Sequence, residues 1–570
     1  MMRTRSMKNA GTAAISFLCM FVWLSSLAFA MPPNPERYNE ETKKGSSLPY
    51  YLENRTKLME QGIDFPRKVA SAAAQSINGT FNALAILIKF SDKNSSAEAS
   101  KFDTLIFVDR QGTVRNYYKE ISYGQLDIVT VNLPSTTGWT SAPQTYAYYC
   151  NGQNGMGSYP QNSQKLCEDI VDLVNPLVDF SNYDNDLDGF VDALILVHTG
   201  PGAEVTWSDN DIWSHKWGIV PRSKDGVYIS EYCIQPEYWY TPGDITCGVF
   251  CHELGHILGL PDLYDTDTPR DSYGIGKWSL MAYGSWNGPA GRGDYPAHPD
   301  AWSRIRLGFT SAINVVANNN NALIAGVEGG GDIYRLWSGG GLGDEYFLTE
   351  NRQKTGYDSY LPASGLLIWH IDETQSGNDN QWYPGHEADG HYRVALEQAD
   401  GLFELEKNSS SGNSGDPFPG SGAYTSFSPA SLPSTNSYAG ENTQVAVSNI
   451  SPSAAIMTAT LQVSLASAVD DEKIVLLPER TVLRQNHPNP FNPSTRIRFD
   501  LARGTEVTMT IFNILGNPIR ELLKGRYPAG STEITWDGTD QAGRPVPSGI
   551  YFYELVTEVG RETRKMTLIK

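Results

Sequence analysis

The spacing of hydrophobic and polar positions changes several times along the chain, and each change marks a unit. At the start, Arg3, Arg5 and Lys8 precede an apolar run over 12–27, which ends at the small-x-small sequence Ala28-Phe29-Ala30. This order predicts an export signal over 1–30. Ser25 and Ser26 interrupt the run, and no later stretch reaches the roughly 20 apolar residues that cross a bilayer. Residues 31–79 are polar, with a helical pattern over 67–75, and occupy the place of a prosegment. Over 80–315, apolar strands at 83–90, 126–133 and 192–198 alternate with helices at 110–122 and 163–174, and a last helix falls near 299–307. Such alternation predicts an α/β half followed by an irregular, glycine-rich half. Over 316–463 no long helix is expected. Short alternating strands at 345–350, 365–371, 392–397, 445–450 and 456–463 predict a β-sandwich. Residues 464–479, with the acidic Asp470-Asp471-Glu472, form a linker. The last stretch, 480–570, has turns about every eight to twelve residues and predicts a second, compact sandwich around Trp536.

Composition narrows the class. At 570 residues the chain is too long for one domain. With 53 Gly, 33 Pro and 30 Tyr against 44 Lys plus Arg, it reads as loop-rich, β-rich and extracellular, secreted or at the cell surface. A net charge of −20 argues against nucleic-acid or anionic-membrane partners and suits calcium binding. Five cysteines follow the signal: Cys150, Cys167, Cys233, Cys247 and Cys251. Export permits disulfides, the odd number leaves a thiol over, and the preferred pairs are Cys150–Cys167 and Cys233–Cys247. The prosegment has no cysteine, so latency through a thiolate on a metal is excluded.

Candidate chemistry concentrates between 252 and 262, where the sequence reads HELGHILGLPD. On a helix, His252 and His256 share a face and can offer two imidazoles to one zinc, with Glu253 beside them as general base. Gly259 can take positive φ and turn the chain back so that Asp262 supplies a third ligand. Three ligands leave a fourth position for water. The sequence leaves open whether Asp262 or Asp265 binds. Cys251 adjoins His252 but points about 100° away from it around a helix. Downstream, WSLMAYG places Met281 in a glycine- and aromatic-flanked turn with Tyr283 beside it.

These residues carry a resemblance. HELGHILGLPDLYD, GKWSLMAYGSWNGP, AHPDAWSRIRLGF, IWSHKWG, EYFLTENRQ and GLLIWHIDE together resemble the secreted immune inhibitor A metallopeptidases, over about 82–463. The resemblance implies an α+β, metzincin-like zinc endopeptidase with ligands His252, His256 and Asp262 and with Glu253 as base. It further implies Met281 as an apolar floor under the zinc and Tyr283 as an oxyanion donor. Most metzincins carry a third histidine where Asp262 stands here. Protein and peptide substrates follow from this reading. The rivals are a zinc hydrolase of non-peptide amides or esters, and an adhesion protein on a degenerate peptidase fold. The stretch from 480 resembles the Ig-like C-terminal domains of secreted bacterial proteins, similar to flagellar hook-capping and secretion-sorting domains. That implies contact with secretion machinery or attachment to the cell surface.

Two further clusters carry metal-type side chains. Asp184, Asp186, Asp188 and Asp192 follow D-x-D-x-D-G-x-x-D, with Gly189 at the sharp turn. This is an EF-like calcium loop without the closing glutamate, since Ile195 holds the twelfth position. His370, His386, His391, Asp372 and Glu373 match no zinc spacing and read as structural or surface groups.

Overall fold

A computed structural model describes residues 29–54, 78–267, 270–388, 390–464, 481–527, 530–557 and 560–569. The export signal (apart from residues 29–30), the helix expected over 67–75 and the linker after residue 464 lie outside the described residues.

The first unit is mixed α/β. Its strands are β1 (Phe29–Ala30), β2 (Gly79–Asn82), β3 (Leu84–Lys89), β4 (Leu126–Val129), β5 (Trp139–Ser141), β6 (Leu194–Pro201), β7 (His215–Lys224) and β8 (Val227–Tyr238). Six of them form one sheet in the order β1-β7-β8-β6-β3-β5, while β2 and β4 pair separately. Strands β5, β3, β6 and β8 run parallel to their neighbours, and β7 returns antiparallel to β8. The sequences LAILIK and LILVHTGP are nearly continuous apolar runs, as strands covered on both faces require. Alternation sorts their side chains. Ala85 and Leu87 face one core with Val114, Tyr118, Val249 and Leu254, whereas Leu84, Ile86 and Ile88 face another with Leu166, Ile170 and Val171.

The longer helices are α1 (Pro35–Lys44), α2 (Val114–Ile121), α3 (Ser163–Val174), α4 (Cys247–Ile257) and α5 (Ala301–Arg306). Side chains cap four of the starts: Asn34, Thr113, Asn162 and Asp300 each accept a hydrogen bond from the backbone N–H three residues onward. Helix α2 begins four residues later than its apolar pattern predicts, because Thr113 takes the extended conformation and the cap.

Residues 312–462 form a β-rich unit of two sheets. One has the order β14-β13-β12-β11-β9 and contains β9 (Ala312–Asn314), β11 (Ile333–Leu336), β12 (Glu345–Arg352), β13 (Gly365–Asp372) and β14 (Val394–Leu396). The other holds β10 (Asn319–Ala325), β15 (Ala446–Ser448) and β16 (Ile456–Gln462). Phe347, Leu366 and Ile368 pack with Ile324, Met457 and Leu461 between the two sheets. The opposite face, with Leu348, Leu367, Trp369 and Ile371, joins the core that contains α4. The β-rich unit therefore begins at Ala312 and is fused to the α/β unit through shared apolar packing.

The final unit is an Ig-like pair of sheets. It comprises β17 (Val482–Leu483), β18 (Thr495–Leu501) and β21 (Gly530–Trp536) against β19 (Thr505–Asn513), β20 (Pro518–Tyr527), β22 (Gly549–Thr557) and β23 (Gly560–Leu568). Trp536 is fully buried in its core.

All five described cysteines are buried free thiols, which corrects the two expected disulfides. Their sulfurs are directed elsewhere: Cys150 Sγ donates to Asp209 O at 3.2 Å, and Cys247 Sγ lies 3.7 Å from Gly293 O. They behave as small core hydrophobes.

Candidate metal centre

Helix α4 is buried on all sides, as its composition CGVFCHELGHI requires. Gly255 is needed for close approach, since a Cβ there would lie 2.7 Å from Met281 Sδ. Met281 thus sits directly against the helix turn that carries both histidines. Gly259, at φ +95°, ends the helix, with its N–H bonded to His256 O and the N–H of Leu260 bonded to Gly255 O. The chain then doubles back, and the N–H of Leu263 bonds to Met281 O at 2.8 Å.

This turn brings Asp262 over the helix. His252 Nε2 and His256 Nε2 lie 3.1 Å apart, and Asp262 Oδ1 stands 3.2 Å from the first and 3.3 Å from the second. Ligands at about 2.0–2.1 Å from a tetrahedral zinc stand about 3.3 Å from one another, so the three atoms outline one face of such a tetrahedron. The tautomers are set from outside: His252 Nδ1 bonds to Leu280 O and His256 Nδ1 to Leu260 O, both at 2.9 Å. With the proton held on Nδ1, each Nε2 keeps its lone pair for the shared point, which is the usual support of a metal-binding imidazole. Burial pushes the His256 pKa down, against the opposing charge of Asp262. Burial would raise Asp262, but His256 and His252 hold it below the usual carboxylate range. A cluster of two imidazoles and a carboxylate, all 6 % exposed or less, suits a divalent cation.

Glu253, fully buried, follows His252 on the same helix. Its charge reaches Cys233 of β8, whose thiol is pushed up to about 12 by burial first and by Glu253 in part. Asp265 is buried too, but serves its own loop: Oδ1 accepts from Asp267 N, and Oδ2 from Asp271 N and Ser272 N. The structure therefore brings Asp262, and not Asp265, to the histidines.

Tyr283 is 1 % exposed and its hydroxyl accepts from Arg270 Nη1 at 3.1 Å. Tyr264 stands beside the histidines, its ring centroid 6.4 Å from that of His252, and its hydroxyl donates to Ala30 O. Sequence reasoning missed both Tyr264 and Arg270; LYD, directly after Asp262, was the available signal.

The N-terminal segment reaches the same place. Ala30 and Phe29 pair antiparallel with His215 and Lys216 on the edge of the sheet. Trp213 Nε1 donates to Met31 O, Trp286 Nε1 to Pro32 O, and Asn34 Nδ2 to Gly291 O. Ala30 and Met31 are fully buried beneath these contacts.

Elsewhere, Asp184, Asp186 and Asp188 also lie within metal-binding distance of one another, but they are half-buried to exposed. Asp192 stands outside that trio, its Oδ2 accepting from Asn185 N and Nδ2. His370 lies between Glu345 and Glu397, both at 3.0 Å, and His391 bonds Asp372 at 2.6 Å, so these histidines serve local pairing.

Two stretches of the chain match known families. Residues 72–310 match the family described as immune inhibitor A peptidase M6, catalytic domain, and residues 489–560 match the FlgD Ig-like domain. Immune inhibitor A of Bacillus thuringiensis subsp. alesti is 31% identical over 204 residues, which is 31% of this chain and 29% of that protein. Pre-pro-metalloprotease PrtV of Vibrio cholerae is 27% identical over 247 residues, 36% of this chain and 26% of that protein. The chain thus spans under a third of the length of these relatives. A solved FlgD from P. aeruginosa is 24% identical over 13% of this chain and 57% of its own, with a TM-score of 0.11, which adds nothing to the family match.

Proposed function

We propose, from the premise that residues 72–310 are an immune inhibitor A-type peptidase domain, that the chain is an exported zinc endopeptidase acting on extracellular proteins. His252, His256 and Asp262 would hold the metal in a metzincin-like arrangement over Met281. The observation that carries this reading is the 3.1–3.3 Å triangle of two imidazole nitrogens and one carboxylate oxygen. Nitrogen and oxygen donors in that number fit zinc with a position to spare. Bound there, zinc would acidify a water toward neutral pH and polarise a substrate carbonyl.

The chain's own residues do the rest. Glu253 takes the proton from the attacking water and delivers it to the leaving amine. Leu280 O and Leu260 O keep the imidazoles in one tautomer throughout. An extended substrate would add antiparallel to the edge strand β7, the place that Phe29–Ala30 takes here. Tyr283 can act as oxyanion donor once its hydroxyl exchanges Arg270 for the substrate carbonyl. In that case Tyr283→Phe lowers kcat with little change in KM.

Residues 31–79 are proposed as a prosegment. Met31, Pro32 and Asn34 hydrogen-bond to Trp213, Trp286 and Gly291, and peptide cleavage should be faster for protein beginning near residue 82 than for protein beginning at Met31. Asp184, Asp186 and Asp188 are proposed to hold calcium, and the Ig-like unit to serve secretion or attachment. The deciding experiment is Glu253→Gln. Zinc content should stay at the wild-type level while cleavage of a peptide library collapses; wild-type turnover in that variant refutes the reading.

A further inference from the structure

A third group of metal-spaced side chains lies outside the centre above. Asp400, Glu404 and Asp416 belong to the loop between β14 and β15, and each offers an oxygen within 4.8 Å of the other two. Asp416 is only 1 % exposed. Its Oδ2 accepts from Trp278 Nε1 and from Asn413 N, both at 2.9 Å, while its Oδ1 is buried and receives no hydrogen bond. A buried carboxylate oxygen without a donor, on a side chain clustered with two more carboxylates, needs a positive charge or a proton. All the side-chain donors are oxygens, which selects a hard cation over zinc.

We propose that Asp400, Glu404 and Asp416 form a structural site for a calcium-class divalent cation. Its occupant fastens the 400–416 loop to the turn that precedes Met281. That loop already lies against the turn along its backbone: Tyr273 N bonds to Leu405 O at 2.9 Å and Lys277 N to Ser411 O at 2.7 Å. Gly276, at φ +56°, allows the approach, since a Cβ there would lie 2.3 Å from Ser411 O. Trp278 ends the short helix Gly276–Trp278, two residues before Leu280, whose carbonyl fixes His252. The cation would therefore act as a positioning group for the histidine-bearing centre from the far side of Trp278. The site itself does not depend on the peptidase reading, because its test reads ion binding.

The test uses the full chain with zinc held constant and the exposed loop disabled by Asp184→Asn, Asp186→Asn and Asp188→Asn together. Terbium(III), a luminescent substitute for calcium, is added at neutral pH and excited through tryptophan. Since Trp278 contacts Asp416 directly, sensitised emission is expected, and calcium should displace it. Adding Asp400→Asn and Glu404→Gln should weaken terbium binding at least tenfold and abolish the rise of a few degrees in Tm that calcium gives the parent. No sensitised emission from the loop-disabled parent overturns the site and leaves a shared proton as the relief of the three carboxylates. Emission undiminished by Asp400→Asn and Glu404→Gln overturns it as well. Should those two changes prevent folding, the parent's emission and its displacement by calcium still decide the matter.

Discussion

The His252–His256–Asp262 centre and the Asp184–Asp186–Asp188 loop both bring three metal-binding side chains within 4.8 Å, yet they are built in opposite ways. In the first, every donor is buried and backbone carbonyls hold the imidazoles from behind. In the second, the carboxylates mostly serve their own turn. Asp188 N donates to Asp184 Oδ1 and Asp186 Oδ1, Gly189 N to Asp184 Oδ2, and Phe190 N to Asp188 Oδ1. Exposed acids that cap their own backbone persist in water without an ion. A buried, preorganised triangle has no such recourse, and its geometry carries more information about a ligand.

This contrast can be tested from its strongest side downward. Glu253→Gln should lower turnover by about 10²–10⁴-fold, the usual worth of a general base. Zinc per chain, read by elemental analysis, should be unchanged. Asp262→Ala should release zinc on dialysis under conditions where Asp184→Ala retains it; equal retention would erase the distinction drawn above. The same rule of burial extends to Arg352, fully buried on β12, where it meets Asp358 at 2.7 Å and also donates to Trp278 O and His298 O. Arg352→Ala should cost about 3–5 kcal/mol in denaturant unfolding, since it strands a buried carboxylate.

A smaller effect follows from pH. Burial would raise Asp358, but Arg352 outweighs it and holds the carboxyl near about 2. Its folded pKa lies below the unfolded value of about 3.9, so its stabilisation is complete above that pH and disappears as pH falls toward 2. Acid unfolding of Asp358→Asn should accordingly show a shallower pH dependence between those values. The smallest effect belongs to the exposed loop. With zinc constant, loss of calcium from Asp184, Asp186 and Asp188 should move Tm by no more than about 1–3 °C.

The clustering of His252, His256 and Asp262 was legible in sequence because all three fall within eleven residues, on one helix turn and the glycine turn that ends it. Strands β3, β6 and β13 were legible for a related reason, being largely apolar runs of strand length, and β12 as a short strand around residues 346–348. The β7–β8 hairpin was not, because SHKWGIVPRSK mixes charged and apolar residues without a clean period of two. Partners settled it: β7 pairs with β8 along its length and with β1 only at His215 and Lys216, and it is exposed at Val220 and buried at Trp217. Asp400, Glu404 and Asp416 escaped notice because spacings of four and twelve within an irregular loop match no template. The cysteines misled for the opposite reason. Export makes disulfides permissible, but five thiols placed on core positions are satisfied by packing.

The five-stranded sheet of the β-rich unit has both faces covered, one by its partner sheet and the other by the core around α4. A polypeptide ended near residue 310 would keep every proposed catalytic group and remove Leu348, Leu367 and Trp369 from the core they share with Leu254, Met281 and Trp278. Chemistry and foldability thus have different endpoints in this chain: the proposed reactive residues finish by Tyr283, whereas the scaffold around them runs on through β16.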